Sequence, residues 1–153
     1  TNGNGCCKAG AKIKVARAML HFWEEPCISG KNGSGTVFFS GCPLKCRYCQ
    51  NYKISAENFG KEISVQKLCE IFFSLKEKGA HNINLVSPTQ YAPFIIEALK
   101  EIKPPLKIPV VWNTGGYEKV ETIKSLNGLV DIYLPDLKYM DSEISLKYSC
   151  ASD

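Results

Sequence analysis

Ser64-Val65-Gln66-Lys67-Leu68-Cys69-Glu70-Ile71-Phe72-Phe73-Ser74-Leu75-Lys76-Glu77-Lys78-Gly79-Ala80-His81-Asn82-Ile83-Asn84-Leu85-Val86 carries a helical period and then a strand, and this succession decides the fold. Val65, Leu68, Cys69, Phe72 and Leu75 share one helical face, Ser64 is placed to cap its start and Gly79 to end it. Asn82 to Val86 then reads as a strand. The pair repeats downstream. A second helix puts Phe94, Ile95, Ala98, Leu99 and Ile102 inward, tolerates Pro93 in its first turn and is stopped by Pro104-Pro105; Ile108 to Trp112 is the next strand. Tyr117 to Leu126 is a third helix, Asn127-Gly128 a turn and Leu129 to Leu134 a strand. Upstream, Thr36-Val37-Phe38-Phe39 is a short β-prone run.

Strands alternating with helix-length connections form an α/β fold with a parallel sheet, because a parallel crossover needs a long connection. Ligand sites in such folds form where the carboxyl ends of the strands run into loops. Those loops are Ser40-Gly41-Cys42, Ser87-Pro88-Thr89, Asn113-Thr114-Gly115-Gly116 and Pro135-Asp136-Leu137-Lys138, and they are expected to converge. Residues 1–35 read as a loop-like, glycine-rich N-terminal extension in which only Ile13 to Trp23 has sustained apolar content.

With 44% hydrophobic and 22% charged residues among 153, the chain is globular, long enough to bury a core and not disordered. Its 19 basic and 15 acidic residues are scattered, so no nucleic-acid surface is expected. No stretch approaches the roughly 20 apolar residues of a membrane span, and no secretory leader is visible. The expectation is a cytoplasmic protein with no membrane partner. Eight cysteines are many for that compartment, where thiols are kept for reactivity or metal binding.

Cys42-Pro43-Leu44-Lys45-Cys46-Arg47-Tyr48-Cys49 is C-x3-C-x2-C. Three thiolates on one loop can ligate three irons of a 4Fe-4S cluster and leave the fourth open for a small molecule. A zinc site closed by Cys27, Cys69 or His81 is the alternative set, since structural zinc takes four ligands. Cys6 and Cys7 read as an upstream metal site or as free thiols, and Cys69 as a small core residue. His21 and His81 read as packing or capping groups. Trp23-Glu24-Glu25-Pro26 reads as a loop covering the cluster, a partner-facing loop or a turn.

The cysteine loop, directly after the first strand, resembles that of the radical S-adenosylmethionine (radical SAM) superfamily, with Cys42, Cys46 and Cys49 at the cluster ligands and Tyr48 at the aromatic position beside the adenine. Gly35 to Asn51 is most similar to the uncharacterised members of the pyruvate formate-lyase activating enzyme branch. The resemblance implies a partial (β/α)6 barrel, with residues 36–153 covering about the first four βα units of a longer protein. Asp131 to Asp141 is similar to the D-x-x-x-x-D-x-K-x-x-D stretch of the activases, which puts Asp136 at the methionyl ammonium and Lys138 at its carboxylate. Asn113-Thr114-Gly115-Gly116 stands where activases carry Asp-Thr-Asn-Gly, and Ser87-Pro88-Thr89 where they carry Gly-Gly-Glu. Ser87, Thr89, Asn113 and Thr114 therefore join the expected SAM contacts, but the seat is built without those carboxylates.

The implied cofactors are a 4Fe-4S cluster and S-adenosyl-L-methionine, and the implied chemistry is reductive cleavage of SAM to a 5′-deoxyadenosyl radical that abstracts hydrogen from a substrate. The electron would come from a one-electron donor such as flavodoxin or ferredoxin. A glycyl radical enzyme is one substrate the branch implies, though Gly33-Ser34-Gly35 lacks the Arg of the activases' Gly-Pro-Gly-Ile-Arg. The second class of function is an iron–sulfur or zinc module for binding or electron transfer, without SAM chemistry.

Overall fold

A computed structural model describes residues 12–151. The expected pairs of strands and helices form as β2 (Ser34–Phe39), α3 (Val65–Glu77), β4 (Ile83–Val86), α4 (Ala92–Leu106), β5 (Val110–Thr114), α5 (Val120–Ser125) and β6 (Ile132–Pro135). To these are added β1 (Ile13–His21), α1 (Pro26–Ser29), α2 (Tyr52–Ser55), β3 (Lys61–Ile63) and α6 (Ser142–Ser149). The sheet has six strands in the order β3-β1-β2-β4-β5-β6. From β2 to β6 it is parallel, whereas β1 pairs antiparallel with both β2 and β3, so the sheet is mixed.

One face packs under α3 and α4. Val37, Leu85 and Trp112 lie in register across it, all fully buried, against Leu68, Phe72 and Leu75 of α3 and Ile95, Leu99 and Ile102 of α4. Ser64 caps α3 as expected, its side chain accepting from the Lys67 N–H at 3.1 Å.

The loop-like reading of the N-terminal segment is corrected: Ile13 to His21 is a strand, and a bulge between Val15 and Arg17 breaks its alternation. Ile13 and Val15 join the helix-side core. One residue of extra length then re-aims the side chains. Arg17, paired with Phe38, and Met19, paired with Thr36, turn to the concave face of the sheet. Past β1, the chain crosses that face: the Asn82 side-chain amide donates to the Ile28 carbonyl at 2.8 Å, and the Asn113 amide donates to Glu24 at 3.2 Å.

Further corrections are local. Pro104-Pro105 do not stop α4 at once: both lie in its last turn, where their missing N–H groups deprive only the carbonyls four residues earlier; fully buried Leu106 holds that turn and Lys107 (φ 55°) reverses the chain. The strand expected over Leu129 to Leu134 starts at Ile132, because the Leu129 and Val130 N–H groups instead bond the Leu126 carbonyl. The third helix shrinks from Tyr117–Leu126 to Val120–Ser125. Cys6 and Cys7 lie outside the described residues.

Candidate functional site

Gly41 ends β2 in the left-handed region (φ 79°), where a side chain would be strained, and releases the chain into the cysteine loop while its N–H bonds the Ile54 carbonyl at 2.9 Å. Gln90 fastens the start of this loop: its side-chain amide donates to the carbonyls of Ser40, Gly41 and Ser87 at 3.2, 2.8 and 2.9 Å. Leu44 is buried against Gly115, where an added Cβ would lie only 2.7 Å from a Leu44 methyl. The end of α6 holds the far side, the Lys45 and Arg47 N–H groups donating to the carbonyls of Ser149 and Tyr148 at 2.8 and 2.9 Å.

Cys42, Cys46 and Cys49 all line one cavity of about 580 Å³ at the carboxyl ends of the parallel strands. Ser87, Asn113, Thr114, Asp136, Lys138 and Tyr48 line the same space, so the four loops converge as expected. Thr89 does not line it. Its hydroxyl donates to Glu118 at 2.5 Å, and Thr114 donates to the same carboxylate oxygen. Ser87 keeps a left-handed backbone (φ 53°), a strain of the kind that persists at functional loops.

The thiols have separate partners. Cys46 accepts from the Ser149 hydroxyl at 2.9 Å, Cys49 lies 3.2 Å from the Ser55 hydroxyl, and burial pushes the Cys42 thiol up from its ordinary pKa. Among the described residues no three His, Cys, Asp or Glu side chains are gathered tightly enough to hold a metal ion. The donor chemistry nevertheless fits an iron–sulfur cluster, with three soft sulfur ligands on one loop facing one space. The fourth ligands weighed for zinc are placed elsewhere: Cys27 is exposed, Cys69 is buried with its thiol 3.9 Å from the Ala98 carbonyl, and His81 accepts from the Asn32 N–H at 3.1 Å.

Asp136 and Lys138 pair with each other at 2.5 Å. Burial works to lower the Lys138 pKa, but the bond to Asp136 and its charge outweigh this and hold the ammonium above its usual value. The Tyr48 ring is 56% exposed, and its hydroxyl lies 2.6 Å from that of Tyr139. That hydrogen bond is the main cause raising the Tyr48 pKa.

Sequence reasoning did not place Glu24, Gln90 or Ser149 in the site. Glu24 lines the cavity, and burial followed by the charge of Glu25 raises its pKa. Of the three readings of Trp23-Glu24-Glu25-Pro26, the loop covering the cluster is the one that leads to it.

A family model described as the radical SAM superfamily matches residues 36–149. An uncharacterized protein of Methanocaldococcus jannaschii is 34% identical over 140 residues, which is 86% of this chain and 40% of that protein. The chain therefore spans less than half the length of this relative.

Proposed function

The chain belongs to the radical SAM superfamily, and from that premise we propose that its cavity binds a 4Fe-4S cluster through Cys42, Cys46 and Cys49 and SAM beside it. The observation that carries this reading is the sharing of one cavity by the three cysteines and the loops that follow β4, β5 and β6. Bound there, the cluster would supply the electron that cleaves SAM to methionine and a 5′-deoxyadenosyl radical, which takes hydrogen from a substrate. Flavodoxin or ferredoxin is the class of donor suited to restoring that electron.

The protein's own groups bind and orient. Cys46 and Cys49 would hold iron in place of their present contacts to the Ser149 and Ser55 hydroxyls. Lys138 presents a cation for the methionyl carboxylate, and its pairing with Asp136 limits how much free negative charge that loop offers. Tyr48, exposed and tethered to Tyr139, presents a ring face for the adenine. Ser87 and Asn113 offer neutral polar atoms at the ends of β4 and β5. The resemblance of Gly35 to Asn51 to the activating-enzyme branch is the ground for proposing a glycyl radical enzyme as one substrate class.

The test is anaerobic reconstitution, reduction with dithionite, addition of SAM and chromatography for 5′-deoxyadenosine. The nucleoside is expected from the unmodified protein and not from Cys46→Ala, which should also lose the visible absorbance of the cluster. A reconstituted, reduced cluster that yields no 5′-deoxyadenosine would contradict the reading.

A further inference from the structure

The methionyl ammonium of SAM is a full positive charge, and in a half-buried cavity it needs an anion or several acceptors to replace water. The loop after β4 gives Ser87-Pro88-Thr89, which has no carboxylate, and the loop after β5 gives the amide Asn113. Two carboxylates line the cavity, Asp136 and Glu24. Asp136 is 59% exposed, so water meets its charge whether or not Lys138 does. Glu24 has no Lys or Arg ion-pair partner among the described residues, and the His21 ring lies 3.9 Å away, beyond hydrogen-bond range.

Glu24 comes from the segment that crosses the concave face after β1, and it is held there from several sides. Its backbone N–H donates to the Ser29 hydroxyl at 3.0 Å, and its carboxylate accepts from the Asn113 amide at 3.2 Å. The side chain is only 15% exposed. Beneath it stands Asn84, in register with Thr36 and Val111 on the same face and close enough to bear on the ionisation of Glu24. Asn84 is fully buried, and its side-chain amide is close enough to hydrogen-bond Glu24 and favour the carboxylate, while no other group meets its nitrogen or oxygen. A buried amide whose main partner is a carboxylate helps to hold that carboxylate in place and charged.

We propose that Glu24 supplies the carboxylate for the ammonium of SAM, acting from beside Asn113 with Asn84 beneath, so that the N-terminal segment contributes the charge that the parallel strands lack. This rests on the SAM-binding reading of the cavity. A substrate amine is the other source of the same chemistry, and the experiment separates the two.

SAM binding to the reconstituted protein is measured by equilibrium dialysis beside 5′-methylthioadenosine, which keeps the adenosine and thioether but has no amino-acid end. Glu24→Gln is expected to weaken SAM about 10- to 100-fold, the loss of one charge-assisted hydrogen bond, and to leave methylthioadenosine within about twofold. Adding Asn113→Asp to Glu24→Gln returns a carboxylate to the same spot and should restore most of the SAM affinity. Cluster absorbance and circular dichroism establish that each variant is folded. Unchanged SAM affinity in Glu24→Gln would overturn the proposal and leave a substrate amine as the ligand of Glu24. Equal losses for both ligands would also overturn it. If the unmodified protein forms 5′-deoxyadenosine while Glu24→Gln leaves SAM affinity intact, this inference alone fails; if the unmodified protein binds no SAM, the functional reading fails with it.

Discussion

Val37, Leu85 and Trp112 form one row across the helix-covered face of the sheet and are fully buried, while the next row along the same strands, Phe38, Val86 and Asn113, looks into the cavity. Neighbouring residues of the same strands thus serve opposite ends. The first row is apolar and closed under α3 and α4; the second mixes an aromatic ring, an aliphatic chain and an amide, and Asn84 on the same face adds a buried amide. Burial of the first face stabilises the fold and so permits the second face to stay incomplete for a ligand.

The comparison breaks most visibly at Trp112. Trp112→Ala removes the largest fully buried side chain and should cost about 3–5 kcal/mol in urea unfolding, whereas Asn113→Ala, one residue along on the other face, should cost under about 1 kcal/mol. Similar costs for both would contradict the division between the faces.

Gly115→Val tests the seam where the cysteine loop meets β5. The new side chain would overlap Leu44, so a cost of about 1–3 kcal/mol and a lowered iron content after reconstitution are expected together. Normal iron content in a folded Gly115→Val would show that Leu44 does not set the position of the loop.

Glu24 gives the smallest effect on stability. Burial holds its carboxyl above the ordinary value of 4.5, so the folded chain keeps this proton more tightly than the unfolded one. The associated stability is therefore complete below the ordinary glutamate pKa and is lost as pH rises through the elevated one. Glu24→Gln should flatten that part of the pH–stability curve and be at least as stable as the unmodified chain at pH 7, as followed by urea midpoints across this range. An unaltered slope would show that Glu24 does not carry the titration.

The parallel part of the fold was legible because a fully buried face writes its period into the residues: Leu68, Phe72 and Leu75 on α3, and Ile83 and Leu85 on β4, can face only one way. β1 was hidden because its bulge shifts the alternation midway, leaving Val15 and Arg17 on opposite faces although they are two residues apart. The short helix α6 was missed for a different reason. Its burial rests on Ser145 and Ser149, polar residues that reveal no apolar stripe. The meeting of Cys42, Cys46 and Cys49 in one cavity was legible from their spacing on one loop, and that of Asp136, Lys138 and Asn113 from their places after strands. Glu24 was not, since its approach to Asn113 joins residues far apart in sequence through an antiparallel strand and a crossing segment. Thr89 shows the reverse limit: it lies in the expected loop, but its hydroxyl is taken by Glu118.

Electron paramagnetic resonance of the reduced, reconstituted protein with and without SAM tests the central claim most directly, because a cluster held by three cysteines has an iron that SAM can reach. The account predicts a reduced 4Fe-4S signal whose g values shift when SAM is added. An identical spectrum before and after SAM, from a fully loaded cluster, would contradict it.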